Sequence, residues 1–359
     1  MVRIAHISDS HLGSSMFQLS ERREDARKCL KKAIEMSMKH SPDFIVHTGD
    51  LFHSPLPQNE DMIFVIELFK KLKDRIPLIV IDGNHDLPYN YRYAYSPLRG
   101  LETMELIVST GSEPYHNFTK TFDGKNVEIH LVGWTPAHQL EYFINSVMPK
   151  EKIALFFSHD IQTPKENLPV HFNYYGCGHK HNFWLDENYD IGRPGSTCFV
   201  NWDREMGRRK KLIVVDIDNN GNEYTTQQLN DVREFKFVTG VDITGMSPVE
   251  ANNSLRQSLD KLSPKKTKPI IIMKVDGIID SETEMSIERS KILQYGEKRL
   301  DPLFLHIEPN WSSMGARPVI LSEPLDVEAS ILEYMEQTKD KRAAEIQKIL
   351  PKYLGGAAS

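Results

Sequence analysis

Phe44-Ile45-Val46-His47-Thr48-Gly49-Asp50-Leu51-Phe52-His53 carries an apolar run into a glycine and a carboxylate. Phe44-Ile45-Val46 reads as a buried strand, and Ser54-Pro55-Leu56-Pro57 turns the backbone into a loop. Asp50 thus falls at a strand end, the rim where α/β sheets bind ligands. Gly49 permits the turn and a close approach of the backbone. Four further stretches follow apolar runs in the same way: Asp9-Ser10-His11, Gly83-Asn84-His85-Asp86, Ser158-His159 and Gly178-His179-Lys180-His181. Carboxylate, amide and imidazole donors without sulfur suit divalent transition metals of the Mn or Fe type rather than structural zinc. Asp50 is read as the carboxylate that bridges two of them, the arrangement used for phosphodiester displacement.

Outward from this core, strand and helix alternate, which implies a largely parallel sheet. Strands are expected at Arg3 to Ser8, Leu78 to Ile81, Val127 to Val132, Ile153 to Phe157 and Lys211 to Ile217, with helices at Glu21 to Lys39, Asn59 to Lys73 and Pro136 to Val147. The helix around Met62, Val65, Ile66 and Phe69 has almost no polar face, so it needs a second partner. With Leu98 and Leu101 it is the candidate surface of a homodimer. Tyr89, Tyr91, Tyr93 and Tyr95 are read as packing or interface residues. His6 and His47 are read as hydrogen-bonded core residues. Ser158, His159 and Asp160 are neighbours that project in different directions and form no local triad.

After Val232 the pattern changes. Strands at Phe235 to Ile243, Pro269 to Val275 and Leu303 to Ile307 alternate with helices at Pro248 to Leu262 and Ile287 to Lys298. This division gives four parts: 1–232 with all the metal-type motifs, a small α/β domain over 233–309, a linker over 310–324 and a helical tail over 325–354. In the tail, Val327, Ile331, Leu332 and Met335 form one apolar stripe, and Ile346, Ile349, Leu350 and Tyr353 another. Helices this short need tertiary or partner packing.

The 359 residues include 44 basic and 50 acidic side chains, a net charge of −6, which does not advertise nucleic-acid binding. Any such role rests on local patches, of which Arg204, Arg208, Arg209, Lys210 and Lys211 are the densest, with Lys265, Lys266 and Lys268 a weaker one. The cysteines, Cys29, Cys177 and Cys198, lack metal-type spacing and fit a reducing compartment. No apolar run approaches a membrane span, and Met1-Val2-Arg3 enters a strand rather than a signal peptide.

Together, Asp9-x-His11, Gly49-Asp50, Gly83-Asn84-His85-Asp86, His159 and Gly178-His179-x-His181 resemble the signature of calcineurin-like metallophosphoesterases. His6-Ile7-Ser8-Asp9-Ser10-His11-Leu12-Gly13, Gly49-Asp50-Leu51-Phe52-His53 and Arg193-Pro194-Gly195-Ser196-Thr197 resemble its double-strand-break-repair nucleases, the SbcD-type nuclease and its archaeal and eukaryotic relatives. The likeness is strong over about the first 200 residues and only positional in the tail. It implies an α/β fold: a two-sheet metallophosphoesterase sandwich flanked by helices, with a small α/β capping domain and a helical tail. It implies that Asp9, His11, Asp50 and His181 hold one metal, and that Asp50, Asn84, His159 and His179 hold the other. Two Mn²⁺ per chain are expected, with Fe²⁺ or another divalent metal as substitutes. His85 resembles the family's phosphate-facing catalytic histidine, which Asp86 would orient, and His53 its nucleic-acid-positioning histidine. The implied activity is 3′–5′ double-strand exonuclease and single-strand endonuclease action on DNA ends. The implied partners are DNA, a second copy of the chain and a coiled-coil ABC-type ATPase bound by the tail, with no membrane and an intracellular setting (cytoplasm and nucleoid, or nucleus). A small-molecule or cyclic-nucleotide phosphodiesterase is the enzymatic alternative, against which the extra domain and tail count. A non-catalytic phosphoesterase-fold scaffold would lack ligands, and all seven are present.

Overall fold

Short apolar runs become strands, and intervening segments of helical periodicity become helices. In a computed structural model, residues 1–88, 96–110, 113–218, 221–229, 233–265, 267–313 and Met335 are described. The chain divides into two units, Met1–Glu234 and Phe235–Ser359. The first unit runs β1 (Val2–Ile7), α1 (Ser20–Lys39), β2 (Phe44–His47), α2 (Asn59–Lys70), β3 (Leu78–Val80), α3 (Leu98–Thr103), β4 (Tyr115–Phe122) and β5 (Lys125–Val132). It continues with α4 (Ala137–Ser146), β6 (Ile153–Ser158), β7 (Tyr174–Gly176), β8 (Trp184–Asp186), β9 (Ile191–Arg193), α5 (Trp202–Glu205), β10 (Lys210–Asp218) and β11 (Gly221–Leu229).

These strands make two sheets, ordered β11-β10-β1-β2-β3 and β4-β5-β6-β7-β9-β8. β1, β2 and β3 are parallel, and so are β5, β6, β7 and β9. The flanking strands β10, β11, β4 and β8 pair antiparallel, so both sheets are mixed rather than simply parallel. Side chains alternate between the two faces of each strand. On β6, Leu155 and Phe157 join Ile4, Phe44, Val46 and Val215 in the core between the sheets, whereas Ala154 and Phe156 face outward with Leu140 and Ile144 of α4. On β1, Ala5 and Ile7 pack outward against Leu30, Ala33 and Val65 of α1 and α2. The architecture is the two-sheet sandwich with helices on both outer faces. Burial on both faces is why the central strands read as continuous apolar runs instead of alternating ones.

A buried histidine helps tie the sheets together. His6 on β1 places Nδ1 at 2.9 Å from the Tyr174 hydroxyl on β7, and Nε2 at 2.9 Å from the Thr48 hydroxyl. His47 places Nε2 at 2.9 Å from Ser10 Oγ. Both histidines are core residues, as expected.

The helix expected at Asn59 to Lys73 ends at Lys70, and its apolarity resolves differently from the expectation. Val65, Leu68 and Phe69 are buried within this unit, and so are Leu98 and Leu101 of α3. Phe69 and Leu101 therefore cannot form a dimer surface. On α2 it is Ile63, 54% exposed, that faces outward, flanked by half-buried Met62 and Ile66.

The second unit holds β12 (Phe235–Asp242), α6 (Pro248–Asp260), β13 (Ile270–Ile279), α7 (Ser281–Ser286), α8 (Arg289–Leu300) and β14 (Phe304–Ser313). Its three strands pair in parallel, and α6 starts on a capping box between Ser247 and Glu250. α7 has no apolar periodicity and was not expected. β14 continues to Ser313, so the first residues of the expected linker are strand. The tyrosines at 89–95, Lys266, the Val232 boundary and, apart from Met335, the tail lie outside the described residues. Among the described residues no helix is long and apolar enough to cross a membrane.

Burial, with neighbouring positive charge as a smaller cause, pushes the His6 and His47 imidazoles down to about 3. In the unfolded chain each titrates near about 6.5. Their contribution is therefore complete above that pH and is lost as pH falls toward 3. By proton linkage, His6 alone should lose about 2 kcal/mol between pH 7 and pH 5. Urea unfolding in chelator at both pH values checks this: His6→Gln should show a smaller loss than wild type, and an equal loss would refute it.

Candidate metal centre

Each candidate ligand leaves the C-terminal end of a strand. Asp9 and His11 follow β1, Asp50 follows β2 and Asn84 follows β3, all in one sheet. His159 follows β6, and His179 and His181 follow β7, in the other. The sandwich thus brings two sets of loops to one edge. The backbone there is held unusually: Asp9, His11, Asp50 and His179 all have positive φ, between 44° and 66°. Non-glycine residues rarely adopt this region, and such strain gathers at functional sites. Cross-links hold them in place. Asp9 N–H donates to Gly49 O and His11 N–H to Asp50 O, both at 3.0 Å, while His179 N–H donates to Asp9 Oδ1 at 3.1 Å. A Cβ on Gly83 would meet Asp50 Oδ1 at 2.1 Å, and one on Gly178 would meet Ser8 Oγ at 2.2 Å. Only glycine lets these loops close.

All seven expected ligands come together. His11 Nε2 lies 3.0 Å from His181 Nε2 and 3.4 Å from Asp50 Oδ2. His159 Nε2 lies 3.5 Å from Asp50 Oδ2 and 3.1 Å from Asn84 Oδ1, and His179 Nδ1 is 3.0 Å from the same amide oxygen. Asp50 therefore stands between the two sets. Ligands held at about 2.0–2.1 Å from one cation, at right angles to each other, lie about 3 Å apart. Asp9 Oδ2 is buried without any hydrogen-bond partner, a lone pair that a cation would satisfy. Asp9 with His11 and His181, and Asp9 with Asp50 and His159, are groups whose donor atoms converge closely enough to hold an ion. The residues present fit divalent cations.

Burial pushes Asp9 up, aided by the charge of Asp50. Burial works against the charge on Asp50, but the His159, His11 and His85 imidazoles together outweigh it and hold that carboxyl low. The reverse holds for His159, raised to about 9 by Asp50 despite burial. Burial drives His11 well below the usual imidazole range, leaving it neutral, the state that ligates metals.

His85 and His53 stand beside this cluster, ring centroids 5.1 Å apart and nearly parallel. His85 N–H donates to Asp50 Oδ1 at 2.8 Å, and His85 Nδ1 lies 3.1 Å from the His53 carbonyl. A carbonyl only accepts, so Nδ1 carries the proton and Nε2 is the exchangeable position. Asp86 does not act as expected. Its buried carboxylate accepts from the backbone N–H groups of Gly83, Phe52 and Leu51, at 2.9, 2.8 and 3.2 Å. It ties the Asp50 loop to the Asn84 loop.

The basic run splits. Lys210 is 2% exposed, with its ammonium on Glu205 and on Ser196 Oγ, so it cannot reach a nucleic acid. Arg204, Arg208 and Arg209 are exposed, and Lys211 lies 4.1 Å from the Phe183 ring centre. Several further residues stand around the centre. Glu205 accepts from His181 Nδ1 at 2.8 Å, Trp134 packs 5.1 Å from the His179 ring, and Lys180 and Arg193 line the cavity. Lys180, inside the Gly-His-x-His motif, and Arg193, inside the Arg193-Pro194-Gly195-Ser196-Thr197 loop, carry a sequence signal, whereas Glu205 and Trp134 carry none. The cavity, about 430 Å³, is lined by Asp50, Asn84, His85, His179 and His181 together with Lys180, Arg193 and Arg204. A larger cleft of about 590 Å³ beside Lys73, Arg75 and Glu105 contains none of these residues. Cys29, Cys177 and Cys198 are buried and form no disulfide.

The family described as calcineurin-like phosphoesterase matches residues 2–243. The DNA double-strand break repair protein Mre11 of Sulfurisphaera tokodaii is 31% identical over 299 residues, which cover 77% of this chain and 73% of that protein. The protein of the same description from Thermoplasma acidophilum is 27% identical over 307 residues, covering 78% of each. That from Sulfolobus acidocaldarius is 24% identical over 312 residues, covering 82% of this chain and 80% of its own. The chain belongs to the calcineurin-like phosphoesterases and, within them, to the family of the double-strand break repair protein Mre11. It is a metal-dependent phosphodiesterase.

Proposed function

We propose that the chain is a dinuclear-metal DNA nuclease that processes ends in double-strand-break repair. The convergence of seven O and N donors beside the cationic wall of Lys180, Arg193 and Arg204 carries this reading. Such a wall suits a polyanion whose neighbouring phosphates lie on either side of the scissile one. Asp9, His11, Asp50 and His181 would hold one cation, and Asp50, Asn84, His159 and His179 the other. Mn²⁺ is the expected ion and Fe²⁺ a substitute. Two such cations supply charge neutralisation and water activation for in-line displacement. His85 offers its Nε2 proton to the leaving oxygen, and His53, stacked on it, positions the nucleic acid. Arg204, Arg208, Arg209 and Lys211 remain as DNA contacts. The activity proposed is 3′–5′ exonuclease on duplex ends and endonuclease on single strands, in an intracellular setting.

The tail over 325–354 is proposed to bind a coiled-coil ABC-type ATPase by laying its apolar stripes in a groove. A homodimer would use Met62, Ile63 and Ile66 of α2, and sedimentation of Ile63→Glu at micromolar concentration tests that surface.

His85→Ala should lower Mn²⁺-supported cleavage by about 10²–10⁴-fold, the range for loss of a general acid. Metal content by elemental analysis should stay at the wild-type level, and coupled loss of metal would make His85 a ligand instead. His53→Ala should harm degradation of labelled duplex ends more than nicking of circular single strands, since a duplex must unstack to reach buried donors. Activity confined to small phosphodiesters would replace the nuclease reading. Deleting 325–354 should leave nuclease activity intact and abolish co-purification with the ATPase; tight binding by the truncated chain would place the partner site elsewhere.

A further inference from the structure

Glu205 is fully buried behind the metal centre, and its carboxylate is held from five directions. Oε1 accepts from His181 Nδ1 at 2.8 Å, from Asn201 N–H at 2.7 Å and from Val200 N–H at 3.2 Å. Oε2 accepts from Ser196 Oγ at 3.1 Å and from the Lys210 ammonium. Ser196 Oγ receives the same ammonium at 2.6 Å. All these donors except His181 come from residues 196–210, so one loop and the start of β10 build a cage around one carboxylate. His181 carries the contact from this cage to the metal centre.

Among the described residues no carboxylate cage of this kind backs the other imidazoles. His159 Nδ1 donates to the neutral Thr48 carbonyl at 2.8 Å. His11 Nδ1 lies 3.2 Å from His53 Nδ1, another ring nitrogen. His179 packs against the Trp134 ring. An anion behind a ligating histidine fixes its tautomer and orientation and makes it a stronger donor, and its loss typically costs about 10–100-fold in metal affinity. With Nδ1–H pinned to Glu205, His181 presents Nε2 at 3.0 Å from His11 Nε2.

We propose that Glu205 is a positioning residue for His181, and that it makes the cation site of Asp9, His11, Asp50 and His181 the tighter of the two. This rests on the dinuclear reading above. Lys210 and Ser196 hold the carboxylate in place and are not needed at the metal itself.

Calorimetric titration of the metal-free full-length chain with Mn²⁺ tests it. Wild type should bind two ions with unequal affinity. E205Q keeps the shape and an acceptor for Nδ1–H but removes the charge. It should weaken the tighter site by about 10–100-fold and leave the weaker one unchanged. K210M, which leaves the Glu205–His181 contact, should keep both affinities within a few-fold of wild type, whereas a merely structural role for the cage would weaken binding alike in E205Q and K210M. If E205Q fails to fold by circular dichroism, E205Q/K210M, which leaves no buried charge of the pair unpartnered, carries the same expectation. Unchanged affinities in the charge-removed variant, or equal weakening of both sites, would overturn the role given to Glu205. Failure of wild type to bind Mn²⁺ would instead overturn the dinuclear reading itself.

Discussion

Two buried carboxylates in one pocket, Asp9 and Asp50, are the constraint on which the first unit depends. Both are essentially inaccessible to water, and each raises the other's cost of ionisation. Burying like charges is unfavourable unless positive charge answers them. Within the chain that answer comes from imidazoles, above all the His159 ring beside Asp50. The arrangement is complete only with cations, and Asp9 Oδ2, buried with no partner, marks where the protein alone leaves a lone pair unsatisfied.

Two sheets are needed because one sheet cannot surround such a pair. The β1-β2-β3 side delivers the carboxylates, the amide and the His11 imidazole, and the β6-β7 side delivers the other three imidazoles. The sheets meet through backbone and polar contacts rather than apolar packing alone. His6 reaches Tyr174, His159 reaches the Thr48 carbonyl, and His179 N–H reaches the Asp9 carboxylate, while within one sheet the Asp86 carboxylate gathers three amides from two loops. Such contacts behind the donors restrict their orientation, which is what a metal site demands of its supporting residues.

The sequence made the ligand loops legible because each hangs on an apolar run that has only one use, a strand buried on both faces. The sheets' outer strands were harder. β11, Gly221–Leu229, is polar and largely exposed, and β4, Tyr115–Phe122, buries little, so neither carries the period of a core strand. Glu205 sits in a four-residue helix whose Trp-Asp-Arg-Glu sequence has no apolar face to place it, and the ligand it holds, His181, lies 24 residues away in sequence. Lys210 was misread because a run of basic residues looks solvated whichever member turns inward. Phe69 was misread for the opposite reason: an apolar helix shows its excess, but not which residues its own α1 and α3 neighbours consume.

The most direct test concerns the sharing of Asp50. Manganese stoichiometry and affinity should be measured by calorimetry and elemental analysis on Asp50→Ala and wild type, with folding verified by circular dichroism. If Asp50 bridges, the wild type binds two ions and the variant loses affinity for both. Retention of one ion at its wild-type affinity would show that Asp50 serves a single site, and the dinuclear account would be wrong.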